Sequence, residues 1–454
     1  MGLVCEKQVR KKTAESNPAS DTRSMGKKVN FIVLLVLVIL SVAGLGTSGE
    51  PADWSAVDIA SSGDIAWMIV ASAFVLLMTP GLAFFYGGMV DRKNVISTML
   101  QSFVALGVIS VIWVVVGFSL CFGDSLGGII GNPLTYLNFR NVGLQAHPEI
   151  GGGLPFLLFA LFQLKFAIIT PALFTGSMAG RIRFRSYILF MVLFTLFIYA
   201  PLAHMTWHPD GLLMNLGVLD FAGGTVVHMS AGLAALAGAV HLGPRKTKRL
   251  THANIPFVIL GTGLLWFGWF GFNAGSALGA NTDAVLALAN THFASAAGMI
   301  TWMFYERFRG RKMNALGACI GAIVGLVAIT PAAGFVTIQE SLFIGMVASL
   351  ISNWAIARQG QSSLDDTLDV FPSHGVGGMV GMLLTGIFAA EVGLTSGETD
   401  TFLWHLAALI GVSIFCFFGS LALLKLVDRA LSMRVTDKQE AIGLDASQHG
   451  EQVN

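Results

Sequence analysis

Eleven apolar stretches of membrane-spanning length, joined by short polar loops, constrain this chain of 454 residues more than anything else in it. They lie near 64–88, 95–122, 154–179, 186–206, 221–241, 254–274, 284–304, 313–330, 341–357, 374–391 and 402–427. In hydrocarbon every backbone N–H and C=O needs an internal partner, so segments of this length are predicted to be transmembrane helices. The expected fold class is therefore an all-α polytopic membrane protein. Charged residues make up 12% of the chain, against roughly 25% in soluble domains. The 53 glycines supply small surfaces across which membrane helices can approach. With 27 Lys and Arg against 26 Asp and Glu, no net charge is left to attract polyanions. These properties exclude a soluble enzyme, a disordered chain and a nucleic-acid binder. Cys121, Cys319 and Cys416 sit in apolar runs as packing residues, and four cysteines in so long a chain form no disulfide framework.

Residues 1–24 form a polar leader, and Met25 reads as the start. Lys27 and Lys28, an apolar run from Phe31 to Gly44 and small residues to Gly49 follow in the order of a secretory signal. A signal peptide over 25–48 is expected, with the transmembrane domain over 60–430 and a cytoplasmic tail over 431–454. Loop charges set the orientation. Arg92/Lys93, Arg181/Arg183/Arg185, Arg245 to Arg249, Arg307 to Lys312, Arg358 and the tail's Arg429, Arg434 and Lys438 fall on one side; the alternate loops carry little beyond Arg140. The basic side is predicted to be cytoplasmic, with the mature N-terminus outside and the protein in the inner (plasma) membrane.

An odd span count permits two five-helix halves of opposite orientation plus a final helix, an arrangement that places a site at the midplane between repeats. Asp220 before His228 and Asp369 before His374 form a weak echo, making the two histidines pseudo-symmetry mates. Intramembrane ionisable groups usually face a pathway or a partner; inside the apolar runs stand Lys165, His228, His292 and His374, with His204, Asp220 and His405 near helix ends. For any one histidine a packing role is as well founded as a functional one. Phe162 and Phe166 share a helix face, Trp207 lies at an outer helix end, and Phe272 closes an aromatic run from Trp266. Such rings serve as a core, an interfacial belt or a cation–π cage. No nucleophile motif and no metal-ligand set is present, so neither an enzyme, a metal nor a cofactor is expected.

Several motifs resemble the ammonium transporter (Amt/Mep/Rh) family, in its bacterial Amt branch. They are Thr79-Pro-Gly-Leu-Ala-Phe-Phe-Tyr-Gly-Gly88, Asp220-Phe-Ala-Gly-Gly-Thr-Val-Val-His228, Gly268-Trp-Phe-Gly-Phe-Asn-Ala-Gly-Ser276, Asp369-Val-Phe-Pro-Ser-His-Gly375 and the tail from Glu440 to Gly450. The resemblance implies a homotrimer with one pore per subunit. It implies recruitment of ammonium at Phe166, Trp207 and Ser276, a stacked gate at Phe162 and Phe272, and paired pore histidines at His228 and His374. Asp220 would support the recruitment region, with a helix N-cap as its structural alternative. The tail would couple to a PII-type signalling protein, or simply be a solvated terminus. The expected function is ammonium transport, in which the ion is deprotonated and ammonia is conducted. The alternative is a low-flux ammonium sensor acting through a cytoplasmic partner.

Three positions depart from the family pattern. Gly180 stands where relatives carry Glu, and His208 follows Trp207 where Gly is common. Lys165 replaces a small or apolar residue. At 11 residues into its span it is expected about 16 Å deep, either as a helix-packing lysine with a polar partner or with its amine snorkelling to the outer vestibule and repelling the incoming cation.

Overall fold

A computed structural model describes residues 57–247 and 250–453, together with Trp54 and five helical positions between 35 and 42. The polar leader and, those five positions apart, the signal segment lie outside the described residues. Helices α1 Ser62–Met89, α2 Arg92–Phe122, α3 Phe156–Met178, α4 Phe184–Asn215 and α5 Gly224–Leu242 make the first half. Helices α6 Ile255–Gly275, α7 Thr282–Phe308, α8 Ala315–Ile329, α9 Ile338–Gln359 and α10 Phe371–Phe388 make the second, followed by α11 Asp400–Ala430. Ten are long and apolar enough to span, and α8 is shorter. At 15 residues it rises about 22 Å, less than the roughly 30 Å hydrocarbon core. The tenth helix begins at Phe371 rather than 374, and the fourth runs past 206 to Asn215 after a turn at His208.

Local chemistry sets many of the helix starts. The side chains of Asn254, Asn281 and Asn314 each accept from a backbone N–H in the first turn of α6, α7 and α8. Thr337 and Glu340 form a capping box at α9. Helices α1 and α6, first in their respective halves, pack face to face. Gly261 is essential to that approach, because a Cβ there would strike the Phe85 backbone.

The two ends of the bundle follow the loop charges. The Asp64 carboxylate accepts from Ala280 N at 2.7 Å, joining the start of α1 to the α6–α7 loop. At the opposite end Thr251 N donates to Asp91 at 2.7 Å. The tail docks on that basic end. The short helix α12, Asp437–Ile442, starts with a Thr436/Gln439 capping box. Lys93 Nζ donates to the carbonyls of Glu440 and Ala441, both at 3.0 Å. The Asp445 carboxylate then accepts from Ile96 N at 3.0 Å and Ser97 N at 2.8 Å, satisfying free amides at the start of α2. Leu444 and Asp445 are buried. A solvated terminus is thereby ruled out for this stretch.

Gly180, at φ 77°, occupies the left-handed region where a side chain is strained. The adjacent Arg181 is buried and donates to Thr367 Oγ1 and to the Asp365 carbonyl. The Asp365 carboxylate is held by Arg245 at 2.7 and 2.9 Å.

Candidate functional site

Both pore-candidate histidines lie on π-helical turns at the start of their helices, His228 in Gly224–Met229 and His374 in Phe371–Val376. Such wide turns occur often at functional sites. Each is the fifth helix of its half, as the inverted repeat predicts. An aspartate precedes each histidine by eight residues, but in the second half it is Asp366, not Asp369. Asp220 Oδ2 accepts from Thr225 N, five residues on, at 2.8 Å; Asp366 Oδ2 accepts from Phe371 N, also five residues on, at 2.7 Å. Asp369 instead accepts from Gln359 at 3.1 Å. The expected Asp220–Asp369 echo is corrected accordingly.

Helices α5 and α10 touch at Gly232, where a Cβ would collide with Gly375 N. This brings the two rings together with Nδ1 to Nδ1 at 3.3 Å, centroids 5.4 Å apart and planes inclined at 24°. Two nitrogens at that distance share one proton: one ring donates, the other accepts, and the outer Nε2 atoms take opposite states. The pair therefore presents one acceptor and one donor to the space beside it. His228 Nε2 is buried without a protein partner. The surrounding shaft is apolar, with Leu82, Ile169, Leu265, Trp269 and Ile323 among its walls. Its void of about 10 Å³ is at the limit for a single water.

Phe272 sits over the pair, 5.9 Å from the His228 ring, and Phe166 leans on Phe272 at 4.2 Å. This corrects the expected pairing of Phe162 with Phe272. Helix α3 enters from the Asp64 end, so Phe166 is one turn, about 6 Å, deeper than Phe162 and level with Phe272. Phe162 is buried and meets Phe166 edge-on at 5.0 Å.

Beyond the phenylalanines a cavity of about 410 Å³ is lined by Gln163, Phe166, Trp207, Asp220 and Ser276, with Glu149 also in its wall. Trp207 stands edge-on to Phe166 at 5.8 Å, and its Nε1 donates to the Asp220 carbonyl at 3.0 Å. The Asp220 carboxylate accepts from the amides of Gly223, Gly224, Thr225 and Val226 at 2.7–3.1 Å. Burial raises its pKa, and the four N–H bonds oppose that rise. Asp220 thus holds the chain entering α5 and, through Trp207, the cavity wall. Ser276, in the cavity wall, donates its hydroxyl to the Phe272 carbonyl at 2.8 Å.

The remaining ionisable groups separate from this column. His204 bonds the Cys121 carbonyl and Ser125 Oγ, and His405 bonds the Met382 carbonyl and Leu219 N, so both tie elements together. His292 is exposed on the bundle exterior. His208 is buried and stacked on His204 at 4.4 Å, and it is absent from the cavity wall. Lys165 is half-buried and also absent from the wall, contrary to the expected amine in the vestibule. At 100° per residue Lys165 points about 100° to one side of Phe166, and Gln163 about 60° to the other.

A family model described as Ammonium Transporter Family matches residues 66–454. The chain belongs to the ammonium transporter family. It is 44% identical over 398 residues to an ammonium transporter of Aquifex aeolicus, covering 86% of this chain and 93% of that one. It is 41% identical over 399 residues to an ammonium transporter of Bacillus subtilis, covering 86% and 98%. Among solved structures it superposes on Candida albicans Mep2 with a TM-score of 0.79 at 33% identity, covering 84% of this chain and 87% of that one. A sensor Amt protein gives a TM-score of 0.79 at 29% identity, with 85% and 98% covered.

Proposed function

We propose that the chain transports ammonium, taking the ion from the outer side at Phe166, Trp207 and Ser276 and passing ammonia beside His228 and His374. The reading is carried by one observation above all: two buried imidazoles share a proton at 3.3 Å in an otherwise apolar shaft. Potassium cannot shed charge, so stripping its water in such a shaft is prohibitive, whereas ammonium can release a proton and enter as a neutral molecule. Ring faces attract the cation before that step. Phe166 and Phe272 are the gate, and Phe162 supports Phe166 from the outer side. The imidazole pair gives ammonia a donor and an acceptor and can relay the released proton.

The basic end of the bundle faces the cytoplasm of a cell whose inner membrane holds the protein, and the N-terminus is outside. The assembly is a homotrimer, as the resemblance implies. The tail is docked beside the α5–α6 loop, where Lys246 N donates to Glu440 at 2.6 Å, so a PII-type protein bound there would contact loop and tail together. Co-purification with such a protein is expected from the full chain and not after truncation at 433; equal recovery would remove the tail from the contact.

A low-flux sensor is the second reading, supported by the likeness to the sensor Amt protein. Current recording on planar membranes carrying reconstituted protein separates the two. Transport predicts a current that follows added ammonium and is absent with sodium. Silent membranes, together with no ammonium-driven alkalinisation inside vesicles carrying protein that still binds ammonium, would favour the sensor.

A further inference from the structure

A second cavity, of about 160 Å³, opens on the basic end of the bundle, apart from the histidine column. Four segments close around it: the start of α2, the turn between α3 and α4 at Gly180, the α5–α6 loop and the tail helix α12. Most of its charged groups are already engaged. Asp91 accepts from Thr251 N, and Arg245 is held by Asp365. Lys246 Nζ pairs with Asp437 at 3.0 Å, and Glu440 takes Arg434 and Lys246 N. Lys93 differs. Its Nζ donates to the carbonyls of Glu440 and Ala441, and among the described residues no carboxylate lies within ion-pair distance of it. Its charge meets only neutral oxygens, and one of its three N–H donors is uncommitted.

Asn94 stands beside it, 6% exposed. Its Oδ1 accepts from Leu444 N at 2.9 Å, which fixes Nδ2 as the other arm of the amide. Nδ2 has no partner among the described residues and stands at the cavity wall, 3.1 Å from where a Cβ on Gly180 would sit. Gly180, at φ 77°, has no side chain to fill that space. An ammonium group and an amide donor therefore line an open volume. The rest of the wall includes the apolar side chains of Val90, Ala179 and Leu250.

We infer that this cavity binds a small organic monocarboxylate, whose oxygens accept from Asn94 Nδ2 and Lys93 and whose carbon chain lies on the apolar wall. Charge and size select the class. Lys93 is the one cation without a carboxylate among the described wall residues, and an ion with two charges would also meet Asp91, Asp437 and Glu440. A cavity of about 150 Å³ takes six heavy atoms. Lys93 and Asn94 also hold the tail, through Glu440, Ala441 and Leu444. A ligand that binds only the docked arrangement stabilises that docking. The inference does not depend on the transport reading.

The test uses the full chain in detergent with butyrate, succinate or inorganic phosphate, at an ionic strength held constant with chloride. Binding is read by saturation transfer from protein to butyrate protons, and docking by hydrogen exchange over residues 437–449. Butyrate should show transfer with a half-saturating concentration on the order of a millimolar. At that concentration exchange in the tail should slow about twofold, and succinate and phosphate should leave it unchanged. Asn94→Asp keeps an acceptor for Leu444 N and replaces the donor NH2 by a charged oxygen. It should raise the half-saturating butyrate concentration about tenfold or more. Thr247→Glu adds a carboxylate to an exposed part of the same wall and should weaken butyrate in the same direction. It decides the matter if Asn94→Asp fails to fold. No slowing of tail exchange by butyrate, or an unchanged half-saturating concentration in the folded variants, overturns the inference. Equal slowing by phosphate or succinate overturns the assignment to monocarboxylates.

Discussion

Replacing Asp220 with Asn should abolish transport and sharply lower the yield of folded protein, although the change removes a single charge and preserves size. Four backbone amides converge on the two carboxylate oxygens, two to each. An amide side chain has one oxygen and turns its own NH2 toward the other two donors. Two buried N–H groups then lose their acceptor, at about 1–3 kcal/mol each. The loss falls on a critical stretch. Gly223 lies in the left-handed region at φ 111°, and the wide turn bearing His228 begins at the next residue. The Asp220 carbonyl also holds Trp207. Thermal unfolding in detergent should show the variant well below wild type, and any folded fraction should carry little ammonium current. Wild-type stability together with wild-type current would reduce Asp220 to an incidental cap.

The second large effect is expected at the histidines. Removing either imidazole by substitution to Ala leaves a void beside a shaft that barely admits one water. A wider, wetter shaft allows a cation to keep part of its hydration, and the desolvation barrier that excludes potassium falls. Discrimination between ammonium and potassium should drop at least about tenfold for each 1.4 kcal/mol of barrier lost. The fold should survive, because the contact between α5 and α10 is made by the Gly232 and Gly375 backbones rather than by the rings.

Much of this was legible in the sequence because membranes impose simple rules. Span length and loop charge gave the helix count and the relative ends, and Asp64 with Ala280 and Asp91 with Thr251 fall at opposite ends as those charges required. The pairing of His228 with His374 was also legible, since each opens the fifth helix of a half. Three finer points were not read. Depth along α3 was available from residue order, and it places Phe166, not Phe162, beside Phe272. The spacing of eight from Asp366 to His374 matches that from Asp220 to His228, whereas Asp369 stands only five residues before His374. Lys165 stands out in the sequence as a charge in an apolar run, whereas uncharged Gln163 holds one of the buried atoms left unpaired. Hydropathy and charge mark what is costly in lipid; they are silent on an amide whose partner is missing, which only the packed structure reveals. The docking of Asp445 on the first amides of α2 was likewise hidden, because its partners lie nearly 350 residues away.

The central claim is that the imidazole pair in an apolar shaft lets ammonia through and keeps potassium out. It is tested most directly by recording currents from reconstituted wild type, His228→Ala and His374→Ala under ammonium and then under potassium, at matched protein density. The account predicts current under ammonium alone in wild type, and a potassium current in both variants. Wild-type rejection of potassium retained in both variants, with undiminished ammonium current, would contradict it.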